Sequence, residues 1–380
     1  MIYCDHNATT PLRPEVLDVM LPFLRAEFGN PSSVHGLGSR ARCAVEEARA
    51  LVAALIGAHP AEIVFTSGGT ESNNLAVQGV LREQTHATAV STPIEHSSIL
   101  GALAAAQAAG VTVCHLPVDG VGRVAPDAVR RVLDEPVALV SVGWANNEIG
   151  TVQPIAAIAA VCRARGTPLH VDAVQAAGKI PVRAEHADLL SLSAHKIGGP
   201  KGMGALFVRR GVALRPLLCG GGQERGRRAG TENVAGIVGM GEACRLAAAE
   251  VGAYAEACTA LRDRLWAGLQ ATISGLRRNG ASDDGLPNTL NVSVDGVRGE
   301  ALIAALDLAG IAISGGSACA AGAGEASHVL VALGRDTDSA RDGVRFSVGR
   351  GNTAEQVEAV IAATAAIVAR MRATRGAVHG

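Results

Sequence analysis

The chain has 380 residues, 48% hydrophobic and 18% charged, with a formal net charge of −1. That length builds a substantial core and more than one domain. Balanced charge argues against binding to nucleic acid or an anionic membrane surface, and 2% aromatic residues leave few platforms for stacked bases.

The start, MIYCDHNATT, has neither a basic region nor a long apolar run, so no signal peptide is expected. No run of about 18 apolar residues predicts a membrane span. The 8 cysteines form no C-x-x-C pair. They argue against a zinc or redox motif and fit free thiols in a reducing cytoplasm.

Cys4–Pro11 reads as a loop with local side-chain caps. Arg13–Phe28 carries a helical pattern that stops at Gly29-Asn30-Pro31. Ser39–Ile56 is an amphipathic helix with Val45, Ala48, Leu51, Val52 and Leu55 on one stripe. Strands are then predicted at Glu62–Thr66, Thr88–Thr92, Val111–Leu116, Val137–Gly143, Leu169–Ala173 and Leu189–Ser193. Helices are predicted between them: from Ser67–Ser72 to about Leu81, then Ser97–Ala109, Pro126–Leu133 and Ile155–Arg165. This alternation predicts an α/β fold with a mostly parallel sheet covered on both faces. Ligands of such sheets sit outside the carboxyl ends of the strands, where the polar clusters of this region fall. Past Gly230 two long helices are predicted, Asn233–Ala249 and Tyr254–Ile273, then a turn-rich linker at Asn279–Gly285. Strands at Thr289–Val294, Ile311–Ser314 and Val344–Val348, with helices at Glu300–Ala309 and Ala354–Met371, predict a smaller domain.

The chemistry concentrates at a few places. In Leu189–Gly204, LLSLSAHKIGGPKGMG, a buried strand ends at Ser193, His195 and Lys196. A lysine there either snorkels to water or is put to chemical use, as Schiff-base lysines are. Ser67–Ser72 is a Gly-rich strand-to-helix turn, either an ordinary N-cap or a phosphate cradle. Asp172 ends an apolar strand and needs a cationic partner, for which a helix cap, an ion pair and a protonated pyridine nitrogen all serve. His96 lies in a loop and could stack on a flat ring. Cys319 sits among small residues in GIAISGGSACAAGAG, a context open to a reactive thiol or to a small hydrophobe. Arg345 and Arg350 suit a carboxylate or a surface ion pair. Cys219–Glu232, CGGGQERGRRAGTE, fits a turn facing an anion or a partner subunit.

Taken together the chain resembles the cysteine desulfurases of the NifS/IscS type, fold-type I pyridoxal-phosphate enzymes related to class V aminotransferases. The likeness runs nearly end to end through DHNATTP, FGNPSS, FTSGGTESNN, EHSSIL, NNEIGTVQPI, HVDAVQAAGK, SLSAHKIGGPKGMGALFVRRG, GGGQERGRRAGTEN, LPNTLNVS, SGGSACAAG and RFSVGR. It implies a large cofactor-binding domain over 15–258 and a small α+β domain from 1–14 and 259–380. It implies that Lys196 is the Schiff-base lysine, Asp172 the partner of the pyridine nitrogen and Gln175 a hydrogen-bond partner of the ring oxygen. His96 would stack on the ring and shuttle protons. Gly69, Thr70, Ser193 and His195 would hold the phosphate, with Thr231 reaching in from the second subunit of a homodimer. Asn147 and Arg345 would bind the carboxylate of L-cysteine, and Cys319 would be the nucleophile that carries a persulfide to an acceptor or scaffold protein. No metal is expected. Where relatives often carry serine or threonine after the nucleophile, this chain has Ala320 and Ala321. A selenocysteine lyase and a non-catalytic scaffold that binds the cofactor are the rival expectations.

Overall fold

The computed structural model describes residues 1–82, 86–315 and 326–378. In chain order the first half contains β1 (Ile2–Tyr3), α1 (Pro14–Arg25), α2 (Gly36–Ile56), β2 (Ile63–Thr66), α3 (Gly69–Leu81), β3 (Thr88–Ser91), α4 (Ser97–Ala108), β4 (Thr112–His115), α5 (Pro126–Val132), β5 (Leu139–Gly143), α6 (Ile155–Arg165), β6 (Leu169–Asp172), β7 (Leu189–Ser193) and β8 (Gly204–Val208). Strands β2 to β8 form one sheet of order β2-β8-β7-β6-β5-β3-β4. Its strands pair in parallel except that β8 runs antiparallel to both neighbours. The expectation of a mostly parallel α/β sheet holds, while β8 was not among the predicted strands.

Period-two alternation decides which side chains go to which face. Val140 and Val142 of β5, Leu190 and Leu192 of β7, and Phe207 of β8 point into a core shared with Val52 and Ile56 of α2 and Ile158 of α6. Leu139, Leu189, Leu206 and Val208 point the other way, onto Leu75 of α3 and Ile99 and Leu103 of α4. With both faces covered, the central strands β5, β7 and β8 read as almost continuous apolar runs. Burying a side chain such as Phe207 contributes roughly 1.5–3 kcal/mol.

The second half holds α7 (Val234–Thr272), β9 (Leu276–Asn279), β10 (Thr289–Val294), α8 (Gly299–Leu308), β11 (Ile311–Ala312), α9 (His328–Ala332), β12 (Gly343–Ser347) and α10 (Ala354–Val378). Strands β9, β10 and β12 form an antiparallel sheet, and β1 pairs in parallel with β11. A second hydrophobic cluster joins Leu290, Val292 and Phe346 to Leu302, Val360 and Ile367. The two long helices expected around residue 250 are one helix of 39 residues. Gly252 has open space around it, so its weak helix propensity interrupts nothing. Asn279, expected in a linker, ends β9.

The carboxyl ends of β2, β3, β5, β6 and β7 lie on one edge of the large sheet. Close backbone contact shapes that edge: a Cβ on Gly204 would stand 2.6 Å from the Gly68 backbone and 2.8 Å from the Leu192 carbonyl. Gly204→Ala is therefore expected to lower stability by about 1–3 kcal/mol, the usual result of overpacking, read from the urea midpoint.

Candidate active site

A cavity of about 300 Å³ opens at that edge. Its wall brings together Gly69, Thr70, His96, Asn147 and Asp172. Gln175, Ser193, His195, Lys196 and Arg345 complete the set of expected residues that face it. Thr231 is exposed and is not part of the wall. Cys319 lies outside the described residues.

Strand ends, helix starts and the middle of β12 deliver the wall residues. β6 stops at Asp172, whose Oδ1 accepts from Val174 N at 2.9 Å and whose Oδ2 accepts from Asn73 Nδ2 at 2.7 Å. Asn73 sits on α3, and its second hydrogen goes to Ser98 Oγ at 2.9 Å. The Ser98 hydroxyl then lies 2.7 Å from His96 Nδ1, which also accepts from Ser98 N. With Nδ1 serving as the acceptor that caps α4, the neutral ring carries its proton on Nε2. Burial first, then Lys196 and His328, lower the His96 pKa, and the Asp172 carboxylate opposes them. Glu95, one residue earlier, is pushed up to about 7 by burial, against hydrogen bonds from Thr92 and Gly143.

β7 ends at Ser193, and a tight turn over Ala194–Lys196 follows. Lys196 Nζ donates to the Asn7 carbonyl at 2.5 Å and the Ala8 carbonyl at 2.7 Å. Arg345, 1% exposed on β12, donates to the Asn147 carbonyl at 2.9 Å and pairs with Asp5 at 2.7 Å. The amide of Asn147 and the guanidinium of Arg345 therefore reach the cavity from opposite halves of the chain.

The donor set fits a phosphate-bearing ring. α3 begins at Gly68-Gly69 with no side-chain cap, leaving its first N–H groups to an anion. Ser193 Oγ is buried and has no hydrogen-bond partner among the described residues. A buried hydroxyl left this way is what an absent acceptor would satisfy. Asp172 stands some way further along the wall, a buried carboxylate suited to a cationic ring nitrogen. These residues fit pyridoxal phosphate.

Sequence reading missed Asn7, Asn73 and Lys179. Asn7 was in view within DHNATTP, but nothing in a loop motif tells which segments it joins. Three of the described thiols are poor nucleophiles: burial raises Cys4, Cys162 and Cys244 to about 12.

Two outcomes follow from this wiring. Asn73→Ala strands Asp172 Oδ2 and leaves Ser98 Oγ with His96 alone, and is expected to destabilise the fold by about 1–3 kcal/mol in chemical denaturation. His6, His170 and His195 all have pKa values lowered to about 4, chiefly by burial. The unfolded chain binds protons at these rings from about pH 6.5 downward, and the folded chain does not until about pH 4. Their contribution is complete above pH 6.5 and is lost as pH falls toward 4, so the melting temperature is expected to drop across that window. His170→Asn should flatten part of the drop.

The aminotransferase class-V family model matches residues 2–360. A curated relative, the cysteine desulfurase of Cereibacter sphaeroides, is 46% identical over 377 residues, 98% of this chain and 97% of that protein. Among solved structures, a NifS-like protein superposes with a TM-score of 0.91 at 39% identity, covering 97% of this chain and 99% of that one. SspA, solved in complex with cysteine, superposes with a TM-score of 0.82 at 34% identity, covering 93% and 100%. A match across nearly the whole chain, at this identity and with this cavity, places the chain in the class-V aminotransferase family, whose members depend on pyridoxal phosphate.

Proposed function

We propose that the chain is a cysteine desulfurase that converts L-cysteine to L-alanine and hands the sulfur on as a persulfide. The observation that carries this reading is the placing of Lys196, Asp172 and His96 around one cavity, in a chain 46% identical to a cysteine desulfurase along 98% of its length. The cysteine complex of SspA supports L-cysteine as the substrate class.

In this reading Lys196 would hold the cofactor covalently, Asp172 would partner its ring nitrogen and Gln175 its ring oxygen. The α3 amides at Gly69 and Thr70, the Ser193 hydroxyl and His195 take the phosphate, with Thr231 contributed by the partner subunit. When bound, the cofactor supplies an electron-withdrawing ring that accepts the electron pair left at the substrate Cα. Arg345 and Asn147 would hold the substrate carboxylate and so orient its Cα in the cavity. The Lys196 amine takes the Cα proton and later returns it. His96, neutral at pH 7 and protonated on Nε2, would be a second group able to move protons in the cavity. The Cys319 thiolate attacks the substrate sulfur: the S–S bond forms as the C–S bond breaks. The electron pair stays on the substrate carbon, which is protonated to give alanine. The second sulfur remains on Cys319, so no external oxidant or reductant is needed, and transfer to an acceptor thiol regenerates the enzyme.

The finer parts of the proposal are a homodimer, a cytoplasmic location, delivery to iron–sulfur assembly or another sulfur-transfer route, and the division into 15–258 and 1–14 with 259–380. No helix among the described residues is long and apolar enough to cross a membrane.

Two substitutions test the assignment. Lys196→Ala is expected to lose covalent, borohydride-reducible cofactor and alanine production together, the latter by at least about a thousandfold. Cys319→Ala is expected to keep the cofactor and its colour while alanine release from L-cysteine falls at least about a hundredfold. Undiminished release from L-cysteine in Cys319→Ala would refute the nucleophile. Release that survives only with L-selenocysteine would favour a lyase, and a coloured wild type releasing no alanine would favour a scaffold.

A further inference from the structure

Lys179 is a lysine that the proposed reaction does not use, yet it is 2% exposed. It lies in the turn after β6, on the far side of Gln175 from the active-site cavity, and lines a neighbouring cavity of about 360 Å³. Its Nζ donates to Gln175 Oε1 at 2.7 Å and to Asn7 Oδ1 at 2.9 Å. Gln175 Nε2 in turn donates to the Asn7 carbonyl at 2.9 Å. Turning the amide over would set Gln175 Oε1 against that carbonyl and remove the acceptor facing Nζ, so both ends resist the flip. Asn7 cannot turn to accommodate it. Its Nδ2 is held by Thr289 Oγ1 at 2.8 Å and the Asn147 carbonyl at 3.2 Å, and its Oδ1 also accepts from Asn288.

One hydrogen of Gln175 Nε2 is thus committed to Asn7, and the other is left for the cavity that Gln175 lines. We propose that Lys179 is a positioning residue that holds Gln175 as an N–H donor toward the cavity, so that Gln175 favours the anionic form of the acceptor placed against it. The inference rests on the functional reading above, in which that acceptor is the ring oxygen of pyridoxal phosphate. An amide with the opposite orientation would present a lone pair and favour the protonated oxygen instead.

The groups that bear on Lys179 are Lys196, Arg345 and Cys258, with His6, Tyr254 and His195 in the same electrostatic neighbourhood. Burial first, then Lys196 and Arg345, hold the Lys179 pKa well below the ordinary lysine range. As ammonium or as neutral amine, Nζ keeps an N–H for each of its two acceptors, so the orientation of Gln175 survives either state.

The test is a pH titration of the absorbance of bound cofactor in the holoenzyme, compared among wild type, Lys179→Met, Lys179→Gln, Gln175→Met and the Lys179→Met/Gln175→Met pair. Methionine matches most of the lysine stem and removes every donor. Melting of the cofactor-free proteins reports whether the fold is kept. The spectral midpoint is expected to rise by about one pH unit in Lys179→Met and in Gln175→Met, with no further rise in the double variant. Lys179→Gln, a donor of shorter reach, is expected to rise about half as far, and stands in should the methionine variant not fold. An unmoved midpoint in the folded variant, or shifts that simply add in the double variant, would overturn the inference while leaving the functional reading intact. A wild type that takes up no pyridoxal phosphate would overturn both.

Discussion

Asn7 is the tie on which the site depends. It is 1% exposed, and every polar atom it has is hydrogen-bonded. Its N–H donates to Ser347 on β12, and its carbonyl receives Lys196 and Gln175. Its side chain binds Lys179, Asn288, Thr289 and the Asn147 carbonyl. The large sheet contributes some of these partners and the small antiparallel sheet the others. A loop residue near the start of the chain thus sets the distance between the amine that would carry the cofactor and the strand that carries Arg345. Such a node is stable only when complete, because a buried amide deprived of one partner leaves an unsatisfied group in low dielectric.

Around that node the cavity separates two kinds of charge control. On the α3 side, free amides and the Ser193 hydroxyl offer donors without net charge. On the β6 side, Asp172 is oriented by Asn73 and its own turn and holds a buried carboxylate at the cavity wall. Asn73 also extends the line through Ser98 to His96, so the carboxylate and the imidazole are held by one amide. The two groups expected to work on opposite parts of a ring cannot reorient independently.

Much of this was legible in the residues. Leu189–Lys196 and Leu169–Asp172 are apolar runs ended by polar residues, and such runs at this spacing mark the strand ends of a parallel sheet. What stayed hidden depends on partners remote in sequence. β8 was obscured by its glycine-rich approach, and β9, LRRN, is a short edge strand of which only the last residue, Asn279, fell within an expected element, the linker. Lys179 follows Ala176-Ala177-Gly178, which has no feature of its own. Its importance appears only when Asn7, some 170 residues earlier, closes over it. The two helices expected at Asn233–Ala249 and Tyr254–Ile273 are one, because its two ends are each anchored in a core that the local sequence does not show.

That helix has a mechanical consequence. Its first turns, at Ile237, Met240 and Cys244, are embedded in the core of the large sheet, and its later turns, at Leu265 and Leu269, in the core of the small one. At 1.5 Å per residue it is an axle nearly 60 Å long, of 39 residues without a proline. Rocking one half of the molecule against the other would have to bend that axle, whose two ends are each fixed in a core. Accommodation of an incoming amino acid therefore falls to side chains and rim loops, and the frame behaves as a rigid anvil.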